Sequence, residues 1–158
     1  VISICVFKSG EVFNVIPHEA YLEGAVRTLN NEVRKNVAKQ IEQVIRGITA
    51  AYGATYDLDY HFGYPVAVND AAVTESFRQS ALKVMDKDKV DIAATASMGA
   101  EDFAYYMLEV PGTFIWIGIR NPGKGICQEI HHPKFDVDEE IFRIIPVVYA
   151  QAILDLLK

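Results

Sequence analysis

NNEVRKNVAKQIEQVIRGITAAYGATYDLDYHF, residues 30–62, changes its hydrophobic period once, and that change sets the reading of the chain. Through the first two thirds, Val33, Val37, Ile41, Val44, Ile45 and Ile48 recur at the spacing of one helical face. Asn30 is a residue that caps helix N-termini well, and Gly53 is one that ends them. The spacing therefore predicts a helix from Asn31 to about Tyr52. From Ala54 the period falls to two. Tyr56, Leu58, Tyr60 and Phe62 take one side, and Thr55, Asp57, Asp59 and His61 the other, which predicts a strand with one wet face. Upstream, Val1–Phe7 is a β-branched and aromatic run closed by the turn signal Lys8-Ser9-Gly10. Pro17-His18 marks a loop, and Ala20–Leu29 reads as a second strand. The order over residues 1–62 is β-β-α-β.

Downstream the pattern becomes that of an α/β segment. Asn69-Asp70 opens a helix carrying Val73, Phe77, Val84 and Met85, and the charged run Asp86–Lys89 is its solvated end. Gly99 precedes a helix from about Ala100 to Leu108, and Thr113–Ile119 is apolar enough for a strand buried on both faces. Asn121–Lys124 is a loop. His131–Asp136 is expected to be extended, because Pro133 disfavours helix at His132. A last helix spans about Asp138–Leu157, with Pro146 inside it. The pattern changes near residues 66–70, which separates an antiparallel-type segment from an α/β-type one.

The bulk numbers narrow the function. The 158 residues carry a net charge of −6 with the basic residues scattered, which argues against nucleic acid or an anionic membrane as partner. No apolar run approaches the roughly 20 residues that cross a bilayer. Val1–Phe7 lacks the basic flank and cleavage pattern of a leader and reads as a strand that starts mid-fold. Two cysteines, Cys5 and Cys127, are too few for a disulfide framework, so a cytoplasmic setting is the default.

Three stretches could carry chemistry. In His131-His132-Pro133 an imidazole is a good ligand for zinc, manganese, nickel or cobalt. Neighbours in an extended segment diverge, so one of the pair at most reaches a given metal. Alone, the pair reads more simply as two surface histidines, and no Cys/His cluster completes a structural zinc site around Cys127 and Glu129. In Ser97-Met98-Gly99-Ala100-Glu101-Asp102-Phe103, a glycine before a helix lets backbone N–H groups face an anion. The simpler reading is acidic residues in a well-capped first turn. In Asn14-Val15-Ile16-Pro17 and Gly24-Ala25-Val26-Arg27, a strand-mounted arginine is a fixed fork for a carboxylate, against the alternative of an exposed arginine beside Glu23.

Taken in order, these pieces resemble a known family. Asn14-Val-Ile-Pro17, Gly24-x-x-Arg27 and Tyr64-Pro-x-x-x-Asn69-Asp70 are similar to the lid domain of the aminoacylase, hippurate hydrolase and indole-acetyl-amino-acid hydrolase family. Met98-Gly-Ala-Glu-Asp-Phe103 and Ile130-His-His-Pro-Lys-Phe135 are similar to the end of its catalytic domain. The resemblance implies a metal-dependent amidohydrolase or metallopeptidase of α/β class, an α+β lid combined with an α/β catalytic part. Residues 1–68 would be a partial lid and residues 69–158 the C-terminal part of the catalytic domain. It implies two divalent metal ions (Zn, Mn, Ni or Co), a metal-activated water with a glutamate general base, and an N-acyl amino acid as substrate. His131 matches the family's last metal ligand. Asn14 and Arg27 match residues that meet the substrate's carbonyl or carboxylate, and Glu101 matches a position near the metals.

The general base, the other metal ligands and the lid histidine of the family are not in these 158 residues. The resemblance therefore implies a C-terminal part, inactive alone, of a hydrolase acting on hippurate-type or auxin-conjugate-type amides. It also leaves room for a homodimer through the lid. The alternatives are a non-catalytic association module, or a carboxylate- or peptide-binding fragment using Arg27.

Overall fold

The computed structural model describes residues 1–92 and 95–158. The chain packs as two compact units, Val1–Val66 with Thr95–Ala104 and Ala67–Ala94 with Tyr105–Lys158.

In the first unit β1 (Ile2–Ser9) and β2 (Ala20–Val26) form an antiparallel pair with Ile2 opposite Val26 and Ser9 opposite Ala20. The register slips between Ile4 and Val6, so Cys5 is the extra residue of a bulge. Gly24 faces Ile4 beside that bulge. A Cβ there would lie 2.3 Å from the Ser3 carbonyl oxygen, so no larger residue permits the approach. The strand expected to run to Leu29 stops at Val26. The Arg27 N–H still donates to the Val1 carbonyl at 2.9 Å, and the Val1 nitrogen to the Arg27 carbonyl at 2.7 Å.

Helix α1 (Asn31–Ala51) starts where the cap predicts. The Asn30 Oδ1 accepts from the Glu32 and Val33 N–H groups at 2.8 and 3.0 Å. Gly53 follows with φ of 66°, a conformation that favours glycine. The buried stripe is narrower than the sequence suggests: Val37 is buried, whereas Val33, Val44 and Ile48 stay exposed.

Residues 54–62 are not the third strand that their alternation predicts. Among the described residues they pair with neither β1 nor β2. They return along α1 through side chains instead. The Tyr56 hydroxyl meets Glu42 at 3.2 Å, the Arg34 guanidinium lies over the Phe62 ring at 5.2 Å and bonds the Gly63 carbonyl, and the Asn31 Oδ1 accepts from the Val66 N–H at 3.1 Å. A strand needs a partner edge as well as a wet face, and the helix takes the partner's place here.

In the second unit α2 (Ala71–Ala81) is capped by the Asp70 carboxylate, which accepts from the Val73 N–H at 2.9 Å. The helix is shorter than expected; Val84 and Met85 lie beyond it, and Asp86–Lys89 ends as an exposed 3-10 turn. Between α2 and the last helix lies α3 (Ala104–Glu109), which begins four residues later than the sequence suggests and leaves Glu101 and Asp102 outside it. Helix α4 (Ile141–Leu156) packs on α2. Phe77 and Tyr149 meet edge to face at 5.4 Å, and the fully buried Ser80 hydroxyl donates to Asp155 at 2.7 Å. Lys83 adds an ion pair to the same carboxylate at 2.8 Å, and these groups hold the Asp155 carboxyl well below the usual range. Pro146 sits inside α4, where it cannot donate the backbone bond of that turn.

Residues 113–119 also fail to form the expected strand, and Trp116 is 66 % exposed, so the segment is not covered on both faces. Side chains occupy its backbone. The Asn69 amide donates to the Phe114 carbonyl at 2.9 Å and accepts from the Phe114 N–H at 2.8 Å, as a neighbouring strand would. The α/β class expected from the sequence is the class observed, with a small antiparallel sheet and helices.

Candidate functional site

Asn14, Arg27 and Glu101 belong to the first unit. Asn14 lies in the exposed turn between β1 and β2. Arg27 stands one residue past the end of β2, with its backbone fixed by Val1 on both sides. Its side chain is exposed, and the Nη1 donates to the Met98 carbonyl at 2.7 Å. Two stretches that the sequence treats separately are thus joined. Glu101 is half-buried and its Oε1 accepts from the Phe103 N–H at 3.4 Å, a local turn contact just ahead of α3.

The glycine of the second stretch does not present a free N–H. The Gly99 N–H donates to the Ser97 hydroxyl at 3.0 Å, and with α3 starting at Ala104 no helix terminus stands behind it. Neither reading of this stretch holds: the Gly99 N–H is taken by Ser97, and Glu101 and Asp102 precede the helix instead of forming its first turn. Ser97 belongs to that stretch, but sequence reasoning gave its hydroxyl no role. The available signal was a serine two residues before a glycine, the spacing at which a hydroxyl closes a turn on the backbone.

His131 and His132 lie in the second unit, and their segment is turned rather than extended. His131 has φ of 71°, an uncommon value for a non-glycine residue. The His132 N–H donates to the Glu129 carbonyl at 3.2 Å, and the Phe135 N–H to the His132 carbonyl at 2.9 Å, so two turns meet here. The His132 Nδ1 accepts from the Lys134 N–H at 3.0 Å. Divergence along an extended strand therefore does not explain which histidine could meet a metal; the left-handed backbone at His131 sets its direction instead.

The segment is pinned on both flanks. Asn121 and Ile126 form a bridge that closes the preceding loop. The Asp138 carboxylate, after the histidines, accepts from the Asn121 amide at 2.6 Å and the Lys124 ammonium at 2.5 Å. Those two donors hold the Asp138 carboxyl down to about 2.

A two-metal centre needs several oxygen, nitrogen or sulfur ligands converging on each ion. Among the described residues no three His, Cys, Asp or Glu side chains converge. The described residues do not by themselves fit a dinuclear site.

The class of protein is set by comparison with a solved structure. A Bacillus subtilis protein described as a dinuclear metal-binding peptidase of the M20 family matches with a TM-score of 0.81 and 33 % identity, over 96 % of this chain and 40 % of its own. The fold is thus shared with part of a metallopeptidase. The profile of peptidase family M20/M25/M40 matches residues 4–155, and the chain belongs to that family.

Among its relatives, the N-acetylcysteine deacetylase of Bacillus subtilis is 32 % identical over the whole chain and 40 % of its own length. Thermostable carboxypeptidase 1 of Saccharolobus solfataricus is 30 % identical over 95 % of the chain and 37 % of its own. The chain spans about two fifths of the length of these relatives. Among the described residues no helix is long and apolar enough to cross a membrane.

Proposed function

We propose that this chain is the substrate-reading and C-terminal part of an amidohydrolase that cleaves the amide of N-acyl amino acids. The observation that carries the reading is the Arg27 guanidinium in a chain of this family: exposed, yet oriented through Nη1 by the Met98 carbonyl. With Nη1 engaged, the Nε–Nη2 edge remains in the geometry that grips a carboxylate with two parallel bonds.

The names of two relatives support the substrate class. An N-acetylcysteine deacetylase and a carboxypeptidase both act at an amide whose nitrogen belongs to an amino acid with a free carboxylate. Hippurate and auxin conjugates have that same form. In this reading residues 1–68 are the partial lid and residues 69–158 belong to the catalytic domain. Asn14 faces the substrate carbonyl, Glu101 stands near the metals, and His131 is one ligand of a pair of divalent cations. The other ligands come from the portion of the family domain outside these 158 residues. Both Cys5 and Cys127 are free thiols, which favours the cytoplasm.

The test is substrate discrimination by a family-length enzyme carrying this chain, comparing N-acetyl-L-alanine with N-ethylacetamide, the same amide without the carboxylate. The acid is expected to be favoured about tenfold to a hundredfold in kcat/KM. Equal kcat/KM for both would overturn the assignment.

A further inference from the structure

The Met98 carbonyl and the Gly99 N–H are the two polar ends of one peptide group, and the structure holds both. The carbonyl accepts from the Arg27 Nη1 at 2.7 Å, and the N–H donates to the Ser97 Oγ at 3.0 Å. A peptide is planar, so its carbonyl and N–H turn together about the flanking bonds. Releasing the N–H frees the plane to swing and carries the carbonyl away from the guanidinium. The fit around Ser97 is close. A Cβ added to Gly99 would lie 3.2 Å from the Ser97 Oγ, tight enough that the hydroxyl would have to move.

Arg27 in turn has its backbone fixed by Val1, so its side chain is the freer part, and the Met98 carbonyl is the contact that aims it. A long side chain loses much rotamer entropy when ordered. A guanidinium oriented before a carboxylate arrives has lost part of that freedom already.

We infer that Ser97 is a positioning residue that aims the Arg27 fork through the Met98–Gly99 peptide, and so sets how strongly the site prefers an acid over a neutral amide. The inference rests on the reading of Arg27 as the carboxylate-binding group. Ser97 itself touches no substrate. Its hydroxyl acts on the peptide, the peptide on the guanidinium, and the guanidinium on the substrate's carboxylate.

The experiment uses a family-length enzyme carrying this chain, stripped of metal to prevent turnover and labelled with 15N on arginine, with N-acetyl-L-alanine and N-ethylacetamide as probes in NMR titrations. In the wild type the Arg27 guanidinium resonances should show slowed rotation, as expected of a group bonded to a carbonyl. Ser97→Ala should release that rotation and weaken N-acetyl-L-alanine binding about threefold to tenfold, the size of one neutral hydrogen bond. N-ethylacetamide binding should not change. Ser97→Thr keeps the hydroxyl and should behave as wild type, whereas Gly99→Ala should match Ser97→Ala by displacing the oxygen.

If Ser97→Ala loses the fold, the Ser97→Thr and Gly99→Ala pair decides the matter by the same two readouts. Unchanged Arg27 rotation and unchanged acid affinity in Ser97→Ala, with Arg27→Ala still losing acid affinity, would sink this inference alone. Undiminished acid affinity in Arg27→Ala would sink the carboxylate reading and the specificity claim built on it.

Discussion

One nitrogen of the Arg27 guanidinium is bonded to the Met98 carbonyl, and the proposed function gives the opposite edge to a substrate carboxylate. The consequence for variants follows from geometry. In a family-length enzyme Arg27→Ala removes a charge-assisted pair, and kcat/KM for an N-acyl amino acid should fall about tenfold to a hundredfold. The matching N-acyl amine should barely change. Arg27→Lys should restore only part of the loss, because an ammonium is a point charge without a fork. Equal losses on acid and amine would show that Arg27 supports the fold and does not read the substrate.

At this scale the sequence made residue identities legible but not their backbones. Gly24 and Arg27 stand out as a spaced pair, and the clash a Cβ would make with Ser3 gives the glycine its reason. The positive φ of His131 arises from two successive turns closed by Glu129 and His132. Pro133 constrains only the residue before it, so nothing in the local sequence announced that conformation.

Helix starts were legible wherever a cap is local: Asn30 and Asp70 each satisfy N–H groups two or three residues ahead. Strands were legible only in part: β1 and β2 form where the sequence places them, but alternation reports one wet face and says nothing about a partner edge. Residues 54–62 and 113–119 carry the pattern, but an α1 side-chain row and the Asn69 amide take the places of neighbouring strands.

The start of α4 shows another non-local determinant. The chain first fixes Asp138 on Asn121 and Lys124 and only then turns into helix at Ile141. Those bonds lower the Asp138 carboxyl from 3.8 to about 2. A depressed carboxyl stabilises the folded state above its unfolded value, and that stabilisation is lost as pH falls through the folded value. The loop bracket should therefore hold at neutral pH and fail between 3.8 and about 2. Acid unfolding followed by the amide resonances of Asn121, Gly123, Lys124, Gly125 and Ile126 checks this. Asp138→Asn should weaken the bracket at neutral pH and flatten its acid transition in that window, and an unchanged acid profile would contradict the assignment.

For the molecule as a whole, family membership was legible because its signatures lie at intervals along nearly the full chain, and the family match spans residues 4–155. The metal chemistry was legible only as an implication. This chain spans about two fifths of the length of its relatives, and among the described residues no three candidate ligands converge.

The most direct test of the central claim, that this chain contributes His131 to a dinuclear centre without forming one, is a calorimetric titration of the 158-residue chain with zinc and with manganese. Wild type, His131→Ala and His132→Ala would be titrated side by side, with metal-loaded samples assayed on hippurate. The account predicts weak binding at most, diminished in His131→Ala and retained in His132→Ala, with no hydrolysis of hippurate. Two tightly bound metals per chain, turnover after loading, or loss of binding in His132→Ala alone would contradict it.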